Sequence, residues 1–273
     1  ARQTTPNDEQ EEADNETEVS NSLLSRGFEA KQTEFENADP EYPDAEKILY
    51  TIDAQGTTTP ALHPADQQLW DMITTLAPSQ EALQSITVFE VYFDEEDTTL
   101  ASVESRDELN NTWLYSINYI AVTNFEELAS TIVHEFAHIL ALHNDQTTTE
   151  IEQLNISASC VTLLVAEGCL NQGSFLGDFF AAFWDGTDAY IGDVDRNEDE
   201  ANGFFRGREN TFVSEYATTN VVEDLAESFM YFAIKEPLQA GTFKQEKVAY
   251  FSEFSELTNY RTSVRQAVAN WIN

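Results

Sequence analysis

His134-Glu135-Phe136-Ala137-His138 lies inside an apolar run, and the combination restricts this part of the chain to one kind of structure. On an α-helix, residues four apart share a face, so His134 and His138 point the same way with Glu135 beside them. Leu128, Ile132, Val133, Phe136, Ile139 and Leu140 recur at helical spacing around the motif. Asn124 is placed to cap the helix, with Glu127 three residues on, as in a capping box. The pattern predicts a buried amphipathic helix carrying two imidazoles and a carboxylate. Two imidazoles at this spacing can bind one Zn²⁺, and the adjacent Glu can take a proton from a zinc-bound water. The plainer alternative is a packed core pair, but the chain has four His and two of them fall here.

A catalytic zinc usually has three protein ligands. The pattern H-E-x-x-H-x-x-G-x-x-H would supply a third His, and this chain lacks it. Ala141 stands where Gly is required, Asn144 stands where His is required, and His143 is one residue out of register. His143 instead suits the negative end of the helix dipole. A better candidate lies downstream. Asn220 is placed to cap a helix running to about Glu236, before Pro237, with Leu225, Phe229 and Phe232 as its packing side. Glu223 and Glu227 share a face of that helix, and two such carboxylates repel unless a cation stands beside them. Glu223 has two readings. It is a third metal ligand, or it completes a capping box with Asn220. Glu227 is otherwise an ordinary solvated carboxylate.

From Ser214 to Phe232 the segment resembles the second motif of the zinc peptidases related to anthrax lethal factor, a glutamate-type (gluzincin) group, and a similar stretch in secreted bacterial zinc-binding metallopeptidases. Tyr216, Glu223 and Glu227 have the group's spacing, and the His134–His138 motif supplies the other half. The resemblance implies that His134, His138 and Glu223 bind zinc. It implies that Glu135 is the general base, that Tyr216 steadies the oxyanion, and that Glu227 hydrogen-bonds a ligand His. From the residues alone, Tyr216 reads as a packing aromatic. The function implied is a zinc-dependent endopeptidase acting on peptide or protein substrates. The alternatives are a non-catalytic zinc-dependent binding or adhesion module, and a narrow-specificity processing protease or toxin component. His138 and Glu223 are 85 residues apart, which implies an insertion between the two helices, over about 145–211.

Charge narrows the partners. Asp and Glu number 50 against 13 Lys and Arg, a formal net charge of −37. Nucleic acid and anionic membrane surfaces are therefore poor partners. The acidic residues are spread along the chain, which favours adaptation to saline surroundings over local steering of basic substrates. No run of about 18 uninterrupted apolar residues predicts a membrane span. The chain begins without a basic, apolar leader, so a signal peptide is either removed or never present.

The expected class is α+β, a zincin-like domain with a small sheet beside the active-site helix and a helical C-terminal part. Residues 1–44 read as an acidic, disordered tail or linker, the kind that tethers a secreted, periplasmic or cell-surface bacterial protein to a lipid anchor. Residues 45–273 read as the folded domain, a monomer. Pro64 to Leu76 predicts a helix, and Ile86 to Phe93 and Trp113 to Val122 predict strands. The resemblance implies that a sheet edge above the helix holds substrate as an added strand, whereas the plain reading makes both strands core. Within 145–211, Cys160 and Cys169 predict a disulfide in an exported protein. Gly173 to Phe183 is placed to cover the cleft. Asp193, Asp195, Asn197 and Asp199 alternate like the ligands of a Ca²⁺ loop, without its Gly and closing Glu. A solvated acidic loop is the competing reading. One or two closing helices follow Pro237.

Overall fold

A five-stranded sheet is built from β1 (Lys47–Ile52), β2 (Thr58–Thr59), β3 (Ile86–Tyr92), β4 (Ala101–Ser105) and β5 (Trp113–Asn118), in the order β2-β1-β3-β5-β4. The computed structural model describes residues 47–94, 96–121, 125–149, 160–192, 195–235 and 237–272. The tail expected at 1–44 and the cap expected at Asn124 lie outside them. β3 and β5 run parallel, and the other neighbours are antiparallel. β3 and β5 are inner strands, buried almost throughout and largely apolar, as suits strands covered on both faces. β4 is an edge.

Two helices, α1 (Pro64–Leu76) and α2 (Gln80–Ser85), lead into β3. Pro64 sits in the first turn of α1, where its missing N–H costs nothing, and the His63 side chain accepts from the Ala65 N–H. Leu69, Trp70, Ile73 and Leu76 are buried as the sequence spacing predicts. Asp66 is also buried, and its carboxylate accepts the Tyr50 hydroxyl at 2.5 Å and the Tyr119 hydroxyl at 2.6 Å, joining α1 to the sheet. β5 is shorter than expected. The Asn118 side chain bonds the backbone of Asp94, and the chain turns into a 3₁₀ segment, Tyr119–Ala121.

The His134 motif lies on α3 (Phe125–Leu142). Leu128, Ile132, Val133, Phe136 and Ile139 are fully buried. The Tyr115 hydroxyl donates to the Ile132 carbonyl at 3.2 Å, and Tyr115 packs on Phe136, so α3 is anchored to the sheet.

The segment after α3 holds β6 (Thr147–Thr148), β7 (Leu164–Val165) and β8 (Gly168–Leu170) in a small sheet of order β6-β8-β7. Cys160 and Cys169 are joined by a disulfide across its outer hairpin. Next come α4 (Phe175–Phe183) and α5 (Glu198–Phe205). Two expectations fail here. Gly173–Phe183 does not cover the cleft: α4 turns Leu176 and Phe179 into the core, with Phe179 against Tyr250 and Phe251. Nor do Asp195, Asn197 and Asp199 form a calcium loop. Asn197 caps α5 in a full capping box with Glu200, Asp199 lies in the helix, and Asp195 accepts from the Asn220 amide at 3.1 Å. The capping box satisfies the first helical N–H groups, and the helix it starts disperses the alternate spacing of the acids. Asp193 lies outside the described residues.

The C-terminal part comprises α6 (Val221–Ala233), α7 (Phe243–Tyr250) and α8 (Ser255–Ile272). α6 packs along α3. It ends three residues earlier than expected, because Arg265 of α8 bonds the carbonyls of Ala233 and Lys235 and so satisfies the helix end. Phe229 of α6 stacks on Tyr260 of α8 with ring centroids 5.7 Å apart. No helix among the described residues is long and apolar enough to cross a membrane.

Candidate metal centre

His134 and His138 project from one face of α3 toward the first turn of α6. The facing atoms form a small triangle. His134 Nε2 lies 3.1 Å from His138 Nε2 and 3.2 Å from Glu223 Oε2, and His138 Nε2 lies 3.5 Å from Glu223 Oε2. A tetrahedral zinc with ligands at about 2.0–2.1 Å has ligand–ligand edges of about 3.3 Å. The triangle fits that size on all three sides. Among the described residues it is also the only group of three or more His, Cys, Asp or Glu close enough to hold one metal ion.

The hydrogen bonding around the triangle fits as well. His134 Nδ1 lies 2.9 Å from Glu227 Oε1. A carboxylate only accepts, so Nδ1 carries the proton and a neutral His134 presents a bare lone pair at Nε2. That lone pair faces the carboxylate oxygen of Glu223. Two such acceptors at 3.2 Å repel unless a proton or a metal cation comes between them. Without a metal, the proton does so. Burial pulls the His134 imidazole down, but hydrogen bonds to Glu223 and Glu227 and the Glu135 charge push it up to about 10. Burial likewise raises Glu223, while its contacts with His134 and His138 hold it well below the usual carboxylate range. A set of ligands with this much affinity for a proton is basic enough to bind a divalent cation.

The capping ambiguity at Glu223 resolves by splitting backbone from side chain. The Asn220 side chain accepts the Glu223 N–H at 2.9 Å, so Asn220 is the cap. The Glu223 carboxylate turns to the imidazoles. Glu227, one turn on, is no solvated carboxylate: it is held against His134 and by Ser214.

Glu135 is buried beside the triangle. Burial pushes its carboxyl up, His138 and His134 oppose this, and the backbone N–H of Val103 donates to it. That N–H identifies an unpaired edge. Asn118 donates to the Leu100 carbonyl and Arg106 to the Thr112 carbonyl, so the even-numbered residues of this stretch face β5. Ala101, Val103 and Ser105 therefore turn their backbone groups outward, and Ala101 and Val103 line the cleft. Tyr216 lies on a 3₁₀ turn, Tyr216–Thr218, and is 53% exposed. Its ring centroid is 5.8 Å from that of His134, and its hydroxyl donates to Glu223. Burial of the hydroxyl and the Glu223 charge raise it, so it remains a proton donor at neutral pH.

Behind Glu223, Asp224 and Lys247 form an ion pair with both side chains 0% exposed, 2.5 Å apart. The Trp184 indole N–H also donates to Asp224, at 2.7 Å. Burial raises the Asp224 carboxyl and lowers the Lys247 ammonium, and each is partly restored by the other. Sequence reasoning missed three features here. The β4 edge was readable as the alternation Ala101-Ser102-Val103-Glu104-Ser105 after a polar turn. The Val165-Ala166-Glu167-Gly168 turn, which lines the cleft, had a hairpin glycine as its signal. The Asp224–Lys247 pair had no signal, because its partners lie 23 residues apart on different helices. Family models, curated proteins and solved structures yield no match to this chain.

Proposed function

We propose that this protein is a zinc-dependent peptidase of zincin-like fold that hydrolyses peptide bonds in the cleft between α3, α6 and β4. The observation that carries the reading is the triangle of His134, His138 and Glu223 with Glu135 against it. His134, His138 and Glu223 would hold zinc, which when bound would act as a Lewis acid and would lower the pKa of a bound water to about 7. Glu135 is the proton carrier. Its raised affinity brings it nearer neutral pH, where a base accepts a proton from the attacking water and returns it to the leaving amine. Tyr216 keeps its hydroxyl proton and donates it as a hydrogen bond to the oxygen that gains negative charge. Glu227 fixes the His134 tautomer and ring orientation. The outward backbone groups of β4 that Glu135 leaves free, those of Ala101 and the Val103 carbonyl, hold an extended peptide as an added strand.

The Cys160–Cys169 disulfide supports export to an oxidising compartment, and the net charge of −37 supports a saline one. The test is cleavage of an unbiased peptide library by the zinc-loaded protein, by its chelated form and by Glu135→Gln. Cleavage by the zinc-loaded wild type alone is expected. Bound zinc without cleavage by any of the three would instead favour a binding module.

A further inference from the structure

The cleft in front of the triangle has a volume of about 640 Å³, and one of its walls is the turn between β7 and β8. Glu135, Glu167, Asp195 and Glu223 line it, and among the described residues no Lys or Arg does. Three of these carboxylates are engaged: Glu223 by the imidazoles, Glu135 by the Val103 N–H, and Asp195 by the Asn220 amide. The Glu167 carboxylate accepts, among the described residues, from its own backbone N–H, and lies near enough to His138 for their charges to interact.

The position of Glu167 is built. The disulfide ties β8 to Cys160 at the base of the hairpin. Asn110 is buried with φ +56, a conformation unusual for a residue with a side chain, and its amide donates to the Glu167 carbonyl at 2.7 Å and to Thr147 Oγ1 at 3.0 Å. Gly168 has φ +132, and a Cβ there would meet the Thr148 carbonyl oxygen at 2.8 Å. The backbone is therefore fixed on both sides of a half-buried carboxylate. Leu163, Leu164 and Val165 form the wall leading to it.

We propose that Glu167 is the specificity-determining residue of this cleft, selecting substrates with Lys or Arg at one position beside the cut bond. The assignment rests on the peptidase reading. The aliphatic stem of such a side chain lies along Leu163–Val165, and its cationic head meets Glu167. A general surface charge favours basic residues at every position and is screened by salt, whereas one fixed carboxylate acts at one position.

The test is kcat/KM on peptide sets that vary one position at a time, at low and high salt, for wild type, Glu167→Gln and Glu167→Lys. Glu81→Gln, an exposed carboxylate of α2 away from the cleft, controls for net charge. At one position, wild type and Glu81→Gln should prefer Lys or Arg over norleucine by about tenfold or more, a ratio expected to fall to about twofold in Glu167→Gln. Glu167→Lys should turn the preference toward Glu. An unchanged ratio in Glu167→Gln, or a basic preference spread over all positions and removed by salt, overturns the assignment. Cleavage without any basic preference overturns it and leaves the peptidase reading standing. Absence of cleavage by zinc-loaded wild type removes both.

Discussion

Glu227 Oε1 lies 2.9 Å from His134 Nδ1, on the side of the imidazole away from the metal triangle. That contact decides which nitrogen of His134 is free, and it links the middle of the motif helix to the second turn of α6. Together with the Glu223 contact and the Glu135 charge, it also raises the basicity of an imidazole that burial alone would have lowered.

Removing that carboxylate should weaken metal binding without removing a ligand. Glu227→Ala is expected to lower zinc affinity by about tenfold to a hundredfold, the usual range for such outer partners. Glu227→Gln, whose amide oxygen still accepts from Nδ1–H, should lose less. Competition against a chromogenic chelator measures both. Equal affinity in wild type and Glu227→Ala would remove Glu227 from the site.

Asn220 and Glu223 should separate cleanly, because one caps through its side chain and the other receives the cap through its backbone. Asn220→Ala is expected to cost about 1 kcal/mol of stability, the typical value of an N-cap, while leaving zinc stoichiometry intact. Glu223→Ala should keep the cap and lose stoichiometric zinc. Thermal melts of chelated protein, together with metal analysis, read the two effects. Loss of zinc in Asn220→Ala at unchanged stability would reverse the assignment.

The first part of this architecture was legible because it is local. α1 and β3 follow from periodicity, with a Pro at one helix start and β-branched residues in the strand. The His134–His138 pair was legible from i, i+4 spacing, which is a fact of helix geometry, whereas Glu223 joined it only through the resemblance, its spacing alone fitting a capping box equally well. What stayed hidden was set by tertiary packing. β4 is five residues long and half polar, so its identity as the edge over Glu135 depends on pairing with β5. The alternating acids before α5 looked like ligands until Asn197 proved to be a cap. Gly173–Phe183 reads as a flexible cover by composition, yet Phe179 finds a pocket among Tyr250 and Phe251, supplied by residues far along the chain.

In chelated protein, His134 should link stability to pH. Its folded affinity for a proton is raised from an ordinary value of 6.5 to about 10. A raised pKa contributes stability that is fully present below about 6.5 and lost as pH rises through about 10. Groups that titrate alike in both proteins cancel in the comparison of wild type with a His134 variant. The stability difference between chelated wild type and chelated His134→Gln is expected to shrink steadily from pH 6.5 to 10, measured by denaturant titration. Zinc displaces the same proton, so zinc affinity should rise with pH over the same window. A pH-independent difference would mean that His134 carries no proton in the metal-free protein.

Lys247 and Asp224 offer the sharpest stability test, because neither side chain reaches solvent and Asp224 directly follows the proposed ligand Glu223. Breaking a buried pair leaves an uncompensated charge and costs about 3–5 kcal/mol, whereas replacing both members with apolar residues is often neutral. Lys247→Met is therefore expected to lose about 3–5 kcal/mol. Asp224→Leu with Lys247→Met should recover part of that loss, limited by the Trp184 indole N–H left without its acceptor. The pair also fixes the first turn of α6, so Lys247→Met should weaken zinc binding while every ligand is intact. Denaturant melts and chelator competition on the two variants decide the matter. If the double variant is no more stable than Lys247→Met, the loss comes from the indole and from packing against Phe212, 3.7 Å from the ammonium, and the uncompensated carboxylate is not its cause.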